Sequence, residues 1–391
     1  MSINVAVVTG SRADYGLLSP LLKVLVADDF FNTYLLVTGM HLDGKYGDTR
    51  GKIIEDGFEI TCEIELTQEG DKPDDICKAV AIGLQGFSEH FKSHDYNVLI
   101  VLGDRYELWS ACMAAVIHRI PIAHIHGGEI TAGALDELIR HSITKMASIH
   151  FPSLDIYAGR IIQMGENPFL VFTVGALGID NIMNVEKMPI NELSGYIGAD
   201  FENESIALMT YHPVTTDDYT DAENQVMQVL EALDETRLKT VVTMPNSDTG
   251  GDIIYRTILE FINIRPDKFI LKKNLGQRAY ISAMSRAALM IGNSSSGIIE
   301  AASFRLPVVN VGDRQAGRYK TRNIIDCNCT KEDIRRAISL ALSTGFKESL
   351  SKLESPYGSG DTAKRIVNTL KSINFKNKNG LLKKVFHTVP D

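Results

Sequence analysis

One stretch of this 391-residue chain gathers the side chains of an acid/base centre: His124-Ile125-His126-Gly127-Gly128-Glu129. It closes an apolar run, and strand alternation would place His124 and His126 on the same side. Two glycines then let the backbone turn or approach a ligand closely. A single His in this place reads as a core residue, but two His, two Gly and a Glu read better as proton-transfer groups. Zinc is the competing reading, since His-x-His plus Glu supplies ligands. No further ligand follows at metal-site spacing, so no metal is expected. Just downstream, Asp136 and Arg140 lie four residues apart, as do Glu137 and His141, so each pair shares a helix face. One pair is expected to be structural; a carboxylate of the other is a candidate general base beside Arg140. Gly103-Asp104-Arg105-Tyr106-Glu107 sets a carboxylate and a guanidinium after another apolar run, and Asp104 joins the catalytic candidates.

A second group of segments suits anions. Gly10-Ser11-Arg12-Ala13-Asp14 forms a small loop before a helix, where free N–H groups and the helix dipole favour negative charge and Arg12 is placed to grip a phosphate. Tyr211-His212-Pro213 occupies the same topological place in the second half, with His212 able to bond a phosphate or a leaving oxygen. Gly292-Asn293-Ser294-Ser295-Ser296-Gly297 is the most specific local signal, with three hydroxyls and two glycines before a helix. That is a diphosphate cradle in which Ser294, Ser295, Ser296 and Gly297 present donors, and Glu300, one turn on, can accept both ribose hydroxyls. Arg314 in Gly312-Asp313-Arg314-Gln315 adds positive charge. Asn246, in the turn after a strand, is placed to touch a base or ribose.

Such residues need strands and helices to aim them. Apolar runs at Ile3–Val8, Leu35–Thr38, Val98–Leu102, Ile120–Ile125 and Val171–Val174 alternate with helix-period stretches, and a second set at Ile206–Tyr211, Thr240–Met244, Phe269–Leu271, Ala288–Ile291 and Val308–Val311 repeats the pattern. Continuous β-branched runs alternating with helices imply parallel strands buried on both faces. The polar segment Ile190–Glu204 separates the sets. The expected class is α/β, two Rossmann-like domains with a ligand cleft between them at the carboxyl ends of both sheets. The expected limits are 1–175, 176–365 and 366–391, the last piece a helix and tail returning to the first domain.

Lys and Arg number 40 against 49 Asp and Glu, a net charge of −9, which argues against nucleic-acid or anionic-membrane partners. No apolar stretch reaches membrane-helix length and no signal peptide is read at Met1–Gly10. Five scattered Cys imply no disulfide framework, so a cytoplasmic location is expected.

Taken together, Val37-Thr38-Gly39-Met40-His41, the Asp104 and His124–Glu129 segments, Arg140-His141-Ser142-Ile143-Thr144-Lys145, His212-Pro213, Gly292–Gly297 and Gly312–Gln315 resemble the UDP-N-acetylglucosamine 2-epimerase family, most closely its hydrolysing, bacterial sialic-acid branch. The resemblance implies a GT-B-like fold with UDP held mainly by the second domain. It implies diphosphate contacts at Arg12, His212, Ser294 and Ser295, a ribose carboxylate at Glu300, and Asn246 near the uridine. It brings Asp14, His41 and Arg105 in as further substrate contacts. Asp104 matches one required carboxylate, and Glu137 or Asp136 a second. Non-hydrolysing and animal members carry Glu where His126 stands, which makes Glu129 the substitute candidate.

The expected reaction is UDP-GlcNAc plus water giving UDP and N-acetylmannosamine, through C2 proton removal, loss of UDP to a 2-acetamidoglucal, and hydration. No cofactor is required, and a homodimer or homotetramer is what the resemblance suggests. The alternatives are hydrolysis of UDP-2,4-diacetamido-2,4,6-trideoxyglucose, non-hydrolysing epimerisation, a GT-B glycosyltransferase and a nucleotide-sugar sensor. The density of ionisable residues at strand ends argues against the last.

Overall fold

Aliphatic runs that do not alternate with polar residues must be covered on both faces, and the strands of this chain are. The computed structural model describes residues 2–42, 49–66, 73–131, 135–213, 221–244, 251–273 and 275–388. Strands β1 (Ile3–Thr9), β2 (Phe31–Thr38), β3 (Ile60–Ile64), β4 (Val98–Leu102), β5 (Ile122–Ile125) and β6 (Ile149–Phe151) form one parallel sheet in the order β3-β2-β1-β4-β5-β6. Between them run helices α1 (Arg12–Val26), α2 (Arg50–Glu55), α3 (Pro73–Lys92), α4 (Tyr106–Ile117) and α5 (Leu135–Met146), with α6 (Asp155–Gln163) after the last strand. The pleat sends Val5, Val7, Val98 and Ile100 into one core and Ala6, Val8, Leu99 and Val101 into the other. Each buried Val, Leu or Ile contributes roughly 1.5–3 kcal/mol of transfer free energy.

The second sheet repeats the winding. Strands β7 (Ile206–Thr210), β8 (Lys239–Thr243), β9 (Phe269–Lys272), β10 (Leu289–Gly292), β11 (Val308–Val311) and β12 (Ile324–Cys327) run parallel in the order β12-β11-β10-β7-β8-β9. Both sheets reverse direction of travel beside their first strand, the topological switch that makes a ligand site at strand carboxyl ends.

Three strands differ from the sequence expectation. β3 and β12 are edge strands whose residues are mostly exposed or half-buried, so no continuous apolar run marks them. The stretch expected as a strand at Val171–Val174 makes only an isolated bridge, Val171 to His150. The sixth strand is instead Ile149–Phe151, three residues hidden between the helical period of α5 and Pro152. The segment Ile190–Glu204 is not a plain separator: it contains a helix, Ile190–Ile197, closed by Gly198.

The chain divides into two compact units, Met1–Glu129 with Leu135–Asn181 and Tyr357–Asp391, and Ile130–Ala134 with Ile182–Pro356. The seam expected after residue 175 thus falls later, and the return begins before residue 366. The cause is local hydrogen bonding. Ala176 donates its N–H to the Tyr357 carbonyl at 2.7 Å, and the buried Asp180 carboxylate accepts the N–H groups of Thr362 and Ala363 at 2.9 and 2.7 Å. Those are two orphan donors at the start of the helix Thr362–Ser372. Ala363, Ile366, Val367 and Leu370 then join the core that also holds Leu18, Leu22 and Leu25 of α1. Asp180→Ala is expected to destabilise the first unit by about 1 to 2 kcal/mol, the usual cost of losing a capping carboxylate; urea unfolding measures it.

Candidate active site

β4 and β5 end in register, Leu102 opposite Ile125, and β5 and β6 end with Ile125 opposite Phe151. Gly103–Arg105, His126–Glu129 and Ser153 therefore emerge at one edge of the first sheet. Here Arg140 of α5, only 2% exposed, makes the central contacts. Its guanidinium donates to the Asp104 carboxylate, to Glu137 Oε2 at 3.4 Å and to the Glu129 carbonyl at 3.0 Å. His141 Nε2 bonds Glu137 Oε1 at 3.0 Å. The pairing read from the sequence thus holds for Glu137 and His141, while Asp136 stands on the exposed side of the first turn.

The alternation expected for His124 and His126 stops at Ile125. His126 takes φ 65°, a left-handed value that costs about 1 kcal/mol for a non-glycine residue and gathers at functional sites. Gly128 has φ 75°, and a Cβ there would lie 2.5 Å from the Tyr157 carbonyl, so only Gly fits. The turn brings His126 Nδ1 within 3.0 Å of Glu129 Oε1, which also accepts from the Ser153 hydroxyl at 2.9 Å. A carboxylate only accepts, so Nδ1 carries a proton, and the buried Nε2 has no hydrogen-bond partner among the described residues. His124 has a different task. It bonds the Gly103 carbonyl at 2.8 Å and Thr144 at 3.2 Å, and burial lowers its pKa to about 3, so it is a neutral tie between β4 and α5. Among the described residues no three metal-ligating side chains converge.

In the β1–α1 loop, Ser11 caps α1 by accepting the Asp14 N–H at 3.3 Å and leaves Arg12 exposed. Burial raises the Asp14 carboxyl to about 6 against the lowering effect of Arg105. Two expected substrate contacts are engaged elsewhere. Arg105 pairs with the fully buried Glu107 at 3.1 Å, beneath the Gly10 and Gly39 loops. His41 is fully buried, its ring nitrogens bonded to Thr9 at 3.0 Å and Thr49 at 2.6 Å, and burial lowers it to about 4. His41, fully buried, braces these loops, whereas the Arg105 side chain pairs with Glu107 and keeps 32% exposure.

The second unit has its own cluster. Gly292 ends β10 at φ 130°, where a Cβ would stand 1.9 Å from the Thr210 carbonyl. This close approach of β10 to β7 lets buried Asn293 accept the His212 N–H at 2.7 Å and donate to the His212 carbonyl at 2.8 Å. The Asn293 carbonyl accepts from Arg314 at 3.1 Å and Gln315 at 2.9 Å. One Asn thereby joins the ends of β7, β10 and β11. Burial, with Arg314 nearby, lowers His212 to about 3. Ser294 caps the helix Ser295–Ile299 through the Ser296 N–H, and Gly297 is buried, with Val308 Cγ1 3.0 Å from where a Cβ would be, so its smallness serves packing. Burial raises Glu300 to about 7, partly offset by a bond from Ser296. Asn246 lies outside the described residues.

Sequence reasoning placed Arg140 beside a carboxylate of its own helix and His141 beside Glu137, but did not single out Asn293 or Ser153, nor the contact of Arg140 with Asp104. The partners of Asn293 and Arg140 are 81 and 36 residues away along the chain.

Comparison with known proteins accords with this geometry. Residues 23–371 match the family model described as UDP-N-acetylglucosamine 2-epimerase. The chain is 39% identical to the hydrolysing UDP-N,N'-diacetylbacillosamine 2-epimerase of Legionella pneumophila over 94% of this chain and 95% of that protein. It is 33% identical to a polysialic acid biosynthesis protein of Escherichia coli, covering 98% and 97%. The fold matches the crystal structure of UDP-GlcNAc 2-epimerase from Neisseria meningitidis with TM-score 0.83 and 16% identity, covering 95% and 100%. The fold class is therefore GT-B-like α/β, built of two Rossmann-like units. The chain belongs to the UDP-N-acetylglucosamine 2-epimerase family, in its hydrolysing branch, and is an enzyme.

Arg140→Met would leave two carboxylates without their shared cation. Opening a buried ion pair costs at least about 3 kcal/mol. Asp104 and Glu137 keep 23% and 22% exposure, so the lower end is expected, read as a shift in the urea midpoint.

Proposed function

We propose that this enzyme hydrolyses a UDP-activated 2-acetamido sugar with inversion at C2, releasing UDP and the free 2-epimer. The observation that carries the proposal is the paired proton-transfer array at the ends of β4, β5 and β6: His126 held by Glu129, and Asp104 held by Arg140. A sugar with no carbonyl beside C2 cannot form an enolate there. It can lose the C2 proton while UDP leaves C1, giving a 2-acetamidoglycal. Water then adds its oxygen at C1 and a proton at C2 from the other side. Two proton-transfer groups are needed, each worth about 10² to 10⁴ in rate. His126 Nε2 and the Asp104 carboxylate are assigned to them. Glu129, Ser153, Glu137 and Arg140 position those two, and Asp136 is left without a catalytic part.

Departing UDP needs donors already aimed at the diphosphate. The Ser294–Ser296 loop, Arg314 and His212 supply them in the second unit, and Arg12 is the candidate that the family resemblance adds. Glu300 accepts the ribose hydroxyls, and Asn246 remains the candidate for uridine. For the sugar, the 39% relative supports UDP-N,N'-diacetylbacillosamine, that is UDP-2,4-diacetamido-2,4,6-trideoxyglucose. UDP-GlcNAc, the first expectation from the motifs, is the second reading, supported by the family model's description. The family resemblance further supports a cytoplasmic homodimer or homotetramer, which fractionation and light scattering test.

Incubation with each UDP sugar in D₂O, followed by proton NMR, decides the reaction. The expected products are free UDP and a C2-deuterated 2-epimer, faster from the diacetamido sugar. Protium retained at C2 would sink the elimination route, and higher kcat/KM on UDP-GlcNAc selects the second reading. Asp104→Asn should lower kcat by about 10² to 10⁴ with UDP affinity intact. Calorimetric UDP binding should also weaken as pH falls below about 7, because only the ionised Glu300 carboxylate offers both oxygens as acceptors to two ribose hydroxyls. Above that value binding should level off, and Glu300→Gln should remove this part of the pH dependence.

A further inference from the structure

The chain after the helix Thr362–Ser372 lies under the amino-terminal ends of β4, β5 and β6, the sheet edge opposite the candidate site. Lys378 Nζ bonds Asp95 at 3.0 Å and the Tyr96 carbonyl at 2.9 Å, just before β4. Asn379 accepts from Arg119 at 2.8 Å, just before β5. The segment ends at a buried carboxylate, Glu166, 2% exposed. Glu166 Oε1 takes Lys145 Nζ at 2.5 Å, and Oε2 takes His150 Nε2 at 3.1 Å and Lys384 Nζ at 2.7 Å. Burial works to raise this carboxyl, and the three cationic or polar partners overcome it and bring it down to about 2.

Lys384 does more than neutralise Glu166. Its ammonium also donates to the carbonyls of Lys145 and Ala147, both at 2.6 Å. These are orphan acceptors at the carboxyl end of α5, where positive charge is favoured by the helix dipole. Three N–H protons thus meet three acceptors on α5, on the turn that follows it and on the segment after α6. The neighbouring chain fixes the lysine: His387 donates its N–H to the Gly165 carbonyl at 2.9 Å, and the Phe386 ring lies against Gly165 and 5.3 Å from Lys145 Nζ.

Earlier on α5, Arg140 at mid-helix holds Asp104, and Glu137 in the first turn bonds both Arg140 and His141. A 12-residue helix is about 18 Å long and transmits axial displacement almost rigidly. We infer that Lys384 is a positioning residue: by capping α5 and closing the Glu166 cluster, it fixes the axial register of the helix that holds Arg140 against Asp104. Its catalytic consequence rests on the function proposed above, whereas its effect on α5 does not.

The test compares the native chain with Lys384→Met and Lys384→Arg, reading kcat, KM, calorimetric UDP affinity and hydrogen exchange across α5. Lys384→Met should lower kcat by about tenfold or more, within the range for sub-ångström to 1 Å misplacement of reacting groups. KM and UDP affinity should hold, and α5 amides should exchange faster. Lys384→Arg, which keeps charge and donors, should restore most of the rate and protection. Native kcat in Lys384→Met overturns the inference, as does a joint loss of kcat and UDP affinity. Turnover of neither UDP sugar by the native chain would defeat the proposed function alone. Exchange then decides: equal α5 protection in native and Lys384→Met overturns the inference, and selective loss sustains it.

Discussion

A guanidinium cannot shed its proton to escape a buried place, so wherever Arg140 goes, acceptors must follow. With 2% of its surface exposed, it requires a carboxylate from the end of β4, another from its own helix and a carbonyl from the end of β5. That requirement fixes where α5 begins relative to the sheet. It also explains why Asp104 stands in one neighbourhood with His126 and Glu129, which leave the sheet on a different loop. Removing the cation would leave the carboxylates repelling one another in a site partly shut off from water, so the ion pair organises the loops as well as holding them.

The two units share a strand order and use their strand ends in opposite electrostatic styles. The first gathers groups in charged pairs, with buried neutral His124 and His41 as struts. The second gathers neutral donors: Ser hydroxyls, the amides of Asn293 and Gln315, and His212 kept uncharged by burial. Proton transfer needs groups whose charge can change, whereas a leaving anion is best met by dipoles already in place and a few fixed cations. One topology serves both because loops, not strands, carry the difference.

The legible part of this chain was what local physics controls. Central strands and their following loops announced themselves because double-sided burial demands unbroken aliphatic runs. The hydrogen bond of Glu137 with His141 followed from helix period alone. Edge strands β3 and β12 stayed hidden because exposure relaxes that demand, and β6 because three residues carry no period. In the site, residue types marked the loops, but not which side chains also brace them, as His41 does. Nothing local distinguishes a histidine facing substrate from one held between Thr9 and Thr49, since Thr9 is 32 residues distant. The turn at His126 was likewise invisible, because a left-handed non-glycine residue is forced by surroundings rather than by its own preference.

The first unit is discontinuous: its closing helix and its Lys384 follow the whole of the second unit in the chain. During synthesis the first 181 residues emerge with the groove on α1 uncovered and Glu166 lacking one of its cations. The stretch Ile182–Pro356 can reach its own compact state in the meantime, since domains fold as units as they appear. Completion of the proton-transfer half is thereby deferred until the second unit has been made. A ribosome that stops early releases an open-sided sheet with exposed aliphatic residues, a species suited to chaperones and proteases rather than to chemistry.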